Sequence, residues 1–363
     1  MNHPTTPTAL AALAAPQPQG SESPVSLTAS VLRRPRPVAA LVLAVLLAAL
    51  GTGCSGTPAS AARDAGQEVT LAASDHLGGA PVYLAQERGL WAAEGVRATV
   101  TTLPTGRDAL NAVLGGQAQL GVVGDLPAVT AALGGRDLRI VADLSRFSDW
   151  RLLTRTDRGI TGFAALRGRK VGVPQGTNVE YALSRMLGAA ALTASDVTVV
   201  NLAPNQVPTA LARGDIDAGV TFPSFYDAAR TALGARYAEL PFGGYTARTL
   251  LVAGPKASDA STSAALRTLV RAQRELAADP AGARRAVLAQ SKGALQPGYA
   301  EAFQPRYGYG ATLSAELLTQ LTQEAAWAKA AQGLPGPADR AALARRLHTA
   351  PLRAVDPAAV TAG

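Results

Sequence analysis

The sequence predicts an α/β protein of two similar lobes, each a mainly parallel sheet flanked by helices, joined by two hinge crossings. Three observations carry that expectation. The stretch GGQAQLGVVGD (115–125) returns in kind as RGDIDAGVTFP (213–223): a helix end, a glycine, a polar residue, then Gly-Val opening a short apolar run. Around each copy, strand-length apolar runs alternate with helical spacings in the order β-α-β-α-β. Beyond Lys256 the spacing is mostly helical.

In chain order, the first segment reads as an address. RRPRP (33–37) precedes an unbroken apolar stretch, Val38 to Leu50, and then GTGCSG. A basic stretch, a short apolar core and small residues form a secretory signal. The run is shorter than the ~20 residues a bilayer requires. Residues 1–32, rich in Pro, Ser, Thr and Ala, lie ahead of the basic stretch, an odd position for a signal, so a start near Val25 or Val31 is expected. Cys54 is the single cysteine, which excludes an intramolecular disulfide. Residues 54–67 read as a flexible tether.

The first lobe is expected over 68–156 and 249–348, and the second over 157–248, with a tail at 349–363. In the first, VTLAA (69–73) is a strand and APVYLAQERGLWAAEG (80–95) a helix stopped by Gly95. RATVTTL (97–103), GRDALNAVLGG (106–116) and QLGVVG (119–124) continue as strand, helix and strand. In the second, KVGVP (170–174), NVEYALSRMLGAAAL (178–192), VTVVNL (197–202), QVPTALARGD (206–215) and DAGVTF (217–222) repeat the order. The helices of SAALRTLVRAQRELAADP (263–280) and SAELLTQLTQEAAWAKAAQG (314–333) return to the first lobe, placing the crossings near Thr154–Gly159 and Gly243–Arg248.

Right-handed crossovers put the carboxyl ends of parallel strands on one edge. Ligands sit there, at helix N-termini with free N–H groups. The rims are then Gly124–Asp125 in one lobe and Phe222–Pro223–Ser224 in the other, facing across a cleft. Asp125 serves equally as ligand contact or helix cap, and Thr177 and Asn178 are capping types at the rim. Phe222 is expected as cleft wall, His76 as a surface or capping residue, and Trp150 as packing beside Asp149. Arg248 is expected as a solvated hinge arginine.

The motifs at 80–95, 115–129 and 166–220 resemble, in order and spacing, the nitrate/sulfonate/taurine family of ABC-transporter substrate-binding proteins. GTGCSG resembles a bacterial lipobox, with Gly51 where a larger aliphatic is usual; this implies lipidation at Cys54. The resemblance implies a type II periplasmic-binding-protein fold, a small anionic solute, a permease and its ATPase as partners, and an extracytoplasmic, membrane-anchored location. Oxyanions in that family are often held by backbone N–H groups, which implies ligand contacts at Gly79, Ala80, Gly124, Asp125, Thr177 and Asn178, with Phe222 and Ser224 on the opposite rim. Many members carry Trp and an acid where this chain has Phe222–Pro223–Ser224. The ligand expected is therefore an anion without a cationic end, an aliphatic or aryl sulfonate. Nitrate, a carboxylate or a thiamine-type pyrimidine is the alternative; an amine-bearing ligand such as taurine would lack its acidic partner unless Asp125 or Asp149 replaces it.

Composition fits this outline. The 363 residues carry a net charge of +8, with 48% hydrophobic and 17% charged residues, as in an ordinary globular chain. No dense basic run interleaved with aromatics follows Cys54, so no nucleic-acid partner is expected. No cofactor or metal is expected either, and the chain is expected as a monomer. Related enzymes on this fold include desulfinases with a nucleophilic cysteine and pyrimidine synthases with a histidine near the third strand; here the single cysteine is the expected lipid site, and Gly121–Thr130 contains no histidine. A binding protein is expected, not an enzyme.

Overall fold

The computed structural model describes residues 66–74 and 76–362. The signal-like segment, Cys54 and most of the tether lie outside the described residues. Within them, the first lobe begins with β1 (Gln67–Ser74), α1 (Ala80–Glu87), α2 (Leu90–Ala93), β2 (Val96–Leu103), α3 (Gly106–Leu114), β3 (Leu120–Gly124), α4 (Asp125–Leu133) and β4 (Arg139–Phe147). The chain continues through β5 (Trp150–Arg155), β6 (Lys170–Val173), α5 (Asn178–Ala189), β7 (Thr198–Asn201), α6 (Val207–Arg213), β8 (Ala218–Val220), α7 (Tyr226–Leu233) and β9 (Tyr237–Phe242). It then returns with β10 (Ala247–Ala253), α8 (Asp259–Ala278), α9 (Pro280–Gln290), α10 (Pro297–Phe303), β11 (Tyr307–Thr312), α11 (Ala315–Gln332), α12 (Arg340–Ala344) and α13 (Ala350–Val355).

Two sheets result, in the orders β11-β4-β10-β3-β1-β2 and β7-β6-β8-β5-β9. The parallel cores are the predicted ones: β1 pairs in parallel with β2 and β3, and β6 with β7 and β8. Both sheets are nevertheless mixed. β10 runs antiparallel between β3 and β4, β11 adds antiparallel to β4, and β5 runs antiparallel between β8 and β9. β11 interrupts the stretch expected to be mostly helical.

The first crossing differs from the expectation of Thr154–Gly159. Trp150–Arg155 pairs with β8 and β9 in the second sheet, so the chain changes sheets at residues 148–149. The physical reason is register: Leu152 and Leu153 are fully buried against Val220 and Gly219 of the repeated phrase. The second crossing, between β9 and β10, spans residues 243–246, within the expected stretch.

The repeated Gly-Val has a packing cause. A Cβ on Gly121 would stand 2.8 Å from Val113 Cγ2 of α3, and one on Gly219 would stand 2.5 Å from Val207 Cγ1 of α6. Each lobe thus needs a bare backbone where its crossover helix rests on the third strand. The returning helices belong to the first lobe: α8 packs on α1 and β1, and α11 on α4. Their buried faces include Leu266, Leu269, Leu317 and Leu321. Removing this apolar surface from water is the main favourable term for docking them.

Candidate functional site

The two sheets present their loop-bearing edges to one cavity of about 860 Å³. From the first lobe, Ser74 ends β1 and His76 follows it, Thr102–Asp108 end and follow β2, and Gly124 ends β3. From the second, Pro174–Gln175 and Thr177–Asn178 follow β6, Asn201–Asn205 end and follow β7, and Phe222–Phe225 follow β8. Aromatic rings of Phe147, Trp150, Tyr299 and Tyr307 complete the wall near the first crossing.

Several helix starts meet at these rims. Thr105 caps α3, accepting from Asp108 N at 3.2 Å, and its hydroxyl donates to Asp108 Oδ2 at 2.7 Å. Thr177 caps α5, accepting from Val179 N at 3.2 Å while donating to Pro174 O at 2.7 Å. Glu180 reaches back to accept from Gly176 N at 2.8 Å. Gly124 caps α4 with no side chain at all. A Cβ there would stand 3.5 Å from Asn178 Cγ, so the two rims touch across the cleft. Nearby, Arg107 Nη1 of the first lobe donates to Gln175 O of the second at 2.9 Å.

Of the predicted residues, Gly124, Thr177, Asn178, Phe222 and Ser224 line the cavity together. Gly79 and Ala80 do not; both are fully buried at the start of α1, and it is Ser74 and His76 that reach the cavity from β1. Asp125 is also a correction. Its side chain is fully buried behind the rim and does not line the cavity. Tyr245 Oη donates to its carboxylate at 2.8 Å, Arg248 N at 2.8 Å, Gln320 Nε2 at 2.9 Å and Leu126 N at 3.0 Å. A carboxylate so supplied has no need of a ligand. Arg248 is not solvated: it is 1% exposed, and donates to Asp143 and Glu316 at 2.6 Å each and to Gln320 at 2.7 Å. Asp149 is committed to Arg151 and Arg306.

Behind Asp125 lies an acid that sequence inspection missed. Glu324 of α11 is fully buried, and Gln320 Nε2 reaches it at 2.8 Å. Burial pushes its carboxyl well above the usual range, and the Asp125 charge pushes the same way. Burial raises Asp125 too, opposed by its donors, so the proton of the pair rests on Glu324. Asp143 rises to about 6, burial outweighing Arg146 and Arg248.

Residues that carry donor groups line the cavity. His76 Nδ1 accepts from Gly78 N at 2.9 Å, and burial lowers the imidazole to about 4. The ring is therefore neutral near pH 7, and its proton sits on Nε2 as a donor. Ser74 Oγ and Trp150 Nε1 are buried without a hydrogen-bond partner among the described residues. A buried unpaired donor costs about 1–3 kcal/mol, which an acceptor-bearing ligand would recover. Among the described residues the lining has one cation, Arg107, and one acid, Asp108. Arg107, Ser74 and the Asn201–Asn205 loop carry no motif that marks them in sequence. Only the meeting of strand ends brings them together.

Solved structures share this architecture. The periplasmic aliphatic sulphonate binding protein SsuA from Escherichia coli matches with a TM-score of 0.66 at 19% identity, over 78% of this chain and 92% of that one. The alkanesulfonate-binding protein SsuA from Xanthomonas axonopodis pv. citri, bound to MOPS, matches at 0.66 and 22%, over 78% and 98%. The desulfurization enzyme DSZB matches at 0.60 and 15%, over 80% and 98%. At such identities these likenesses establish the fold, that of periplasmic binding proteins. In sequence, a Brucella abortus protein named as a binding protein is 30% identical over 151 residues, 41% of this chain and 46% of its own length. An Escherichia coli protein named for aliphatic sulfonates is 30% identical over 134 residues, 37% and 42% of the two chains. A Schizosaccharomyces pombe 4-amino-5-hydroxymethyl-2-methylpyrimidine phosphate synthase is 26% identical over 141 residues, 39% and 40%. This chain spans less than half the length of these curated relatives. The NMT1/THI5-like family model matches residues 77–281, more than half of the chain, and the matched span runs from α1 through α8 with rims of both lobes inside it. Fold, rims and matched span agree: the chain belongs to the NMT1/THI5-like family.

Proposed function

We propose that the chain is an extracytoplasmic solute-binding protein of an ABC importer, held to the membrane through Cys54, that captures a small organic anion between its lobes. The observation that carries this reading is the cavity: about 860 Å³, built from the strand ends of both lobes. That volume falls in the range of organic-ligand pockets, roughly 300–1,000 Å³, and a four-atom ion such as nitrate would leave most of it unused. Its lining supplies what an amphipathic anion requires, with donors from Ser74, His76, Trp150 and Arg107 and an aromatic wall for an apolar body. The sulfonate-related names of several similar proteins support the same class. Binding rather than catalysis suits a lining that, among the described residues, has no cysteine and a single, neutral histidine.

An amine-bearing ligand would lack a free acid at Asp125 or Asp149, both already paired. Among the described residues, Asp108 is the acid that lines the cavity, beside Arg107. The test is a thermal-shift and calorimetry panel on the purified full chain with nitrate, taurine, ethanesulfonate, benzoate and naphthalene-2-sulfonate. Amine-free sulfonates with an apolar body are expected to stabilise most, by about 2.7 kcal/mol at a hundred times the dissociation constant. No response to any organic anion refutes the solute-binding reading, and tighter binding of taurine than of the amine-free sulfonates refutes the ligand class.

A further inference from the structure

Trp150 stands where the cleft and the hinge meet. It opens β5 directly after the first crossing, lines the cavity and is 1% exposed. Its Nε1–H has no hydrogen-bond partner among the described residues. An indole nitrogen can only donate, so the group that satisfies it must be an acceptor. The ring cannot easily turn to seek one elsewhere. Phe147 meets it edge-on at 5.4 Å and 80°, and Tyr245 stacks on it at 6.0 Å and 14°.

Tyr245 lies in the second crossing. Its hydroxyl donates to Asp125 at the start of α4 in the first lobe. Its ring meets Tyr181 of α5, in the second lobe, edge-on at 5.0 Å. Tyr181 in turn meets Trp327 of α11, in the first lobe, at 5.3 Å. One run of rings therefore joins a cavity-lining residue to both crossings and to a contact between the lobes.

We propose that Trp150 recognises the acceptor oxygen of the solute through its indole N–H, and passes occupancy of the cleft to the hinge through the Tyr245 stack. The proposal rests on the solute-binding reading above. It assigns Trp150 a specificity role in place of the packing role that its burial suggests. The chain offers its own control. Trp91 Nε1 is likewise buried without a partner, but Trp91 does not line the cavity.

The experiment follows the three indole N–H signals of the ¹⁵N-labelled full chain during titration with naphthalene-2-sulfonate. Assignment by Trp91→Phe and Trp327→Phe keeps the Trp150 signal readable even where Trp150→Phe does not fold. The Trp150 signal is expected to move most and to follow the binding curve, with Trp327 responding and Trp91 still. Trp150→Phe, which keeps a ring in the stack and removes the donor, is expected to bind the probe about tenfold more weakly, or 1.4 kcal/mol, and to diminish the Trp327 response. A bound probe with an unmoved Trp150 signal overturns the proposal alone, as does a folded Trp150→Phe variant of unchanged affinity. Failure of every anion in the panel to bind overturns the solute-binding reading and this proposal with it.

Discussion

Glu324 is a residue whose protonation separates the folded from the unfolded chain. Buried beside Asp125, it holds its proton well above the usual carboxylate range, whereas in the unfolded chain it ionises near pH 4. The folded state therefore binds more protons in the interval between, and this group's contribution to stability falls as pH rises through it. Glu324→Gln removes that loss and retains a side chain of the same shape. The variant's stability relative to wild type is expected to increase from pH 5 to pH 8, with a slope approaching about 1.4 kcal/mol per pH unit. Comparison with wild type cancels His76, whose lowered value acts with the opposite sign below pH 6.5. Urea unfolding at the two pH values measures it, and a pH-independent difference would show a charged Glu324. At this scale little was legible in advance. Glu324 sits among alanines in a helical spacing and reads as a solvated position. Asp125 has the same identity whether it faces a cleft or the Tyr245 hydroxyl.

The element that presents the second rim is α5, and its start is held by Thr177. The hydroxyl takes one orphan N–H of the first turn and ties the loop to Pro174 O, while Glu180 secures Gly176 N. Thr177→Ala is expected to cost about 1 kcal/mol in denaturant unfolding, the usual worth of such a cap. Probe binding should weaken with it, because Asn178 and Gln175 share the loosened turn. An unchanged unfolding midpoint would show that the cap is dispensable. Elements of this kind were readable from sequence: the capping residue, the apolar spacing of Tyr181, Leu183, Met186 and Leu187, and the glycine stops are all local. The antiparallel strands β4, β5, β9, β10 and β11 were not identified. Their partners lie far away in sequence, as with Thr249 beside Gly124, and pairing at that distance leaves no periodic mark on a single segment.

For the whole molecule, exposed hydrogen bonds as well as the Tyr181–Trp327 ring contact draw the lobes together across the cleft. Arg107 reaches Gln175 O at 2.9 Å, and Gln332 Nε2 lies 3.4 Å from Glu180 Oε2. Both pairs are exposed and individually weak, which suits a cleft that must open as well as close. Arg107→Ala is expected to weaken binding of naphthalene-2-sulfonate roughly two- to fivefold, and to enlarge the radius of gyration of the ligand-free chain in small-angle scattering. Unchanged scattering together with unchanged affinity would remove Arg107 from the closure. By itself, the sequence determined the parallel β-α-β-α-β core of each lobe and the helical character of much of the last third, because hydrophobic period, caps and glycines act within one element. It also determined the rims as loops after strands, since crossover handedness places them on one edge. Only the tertiary structure decided which sheet receives Trp150–Arg155, and which rim side chains reach the cavity rather than the core. Those outcomes depend on long-range register and on how strand ends from two lobes meet, and neither is written in any one stretch of the chain.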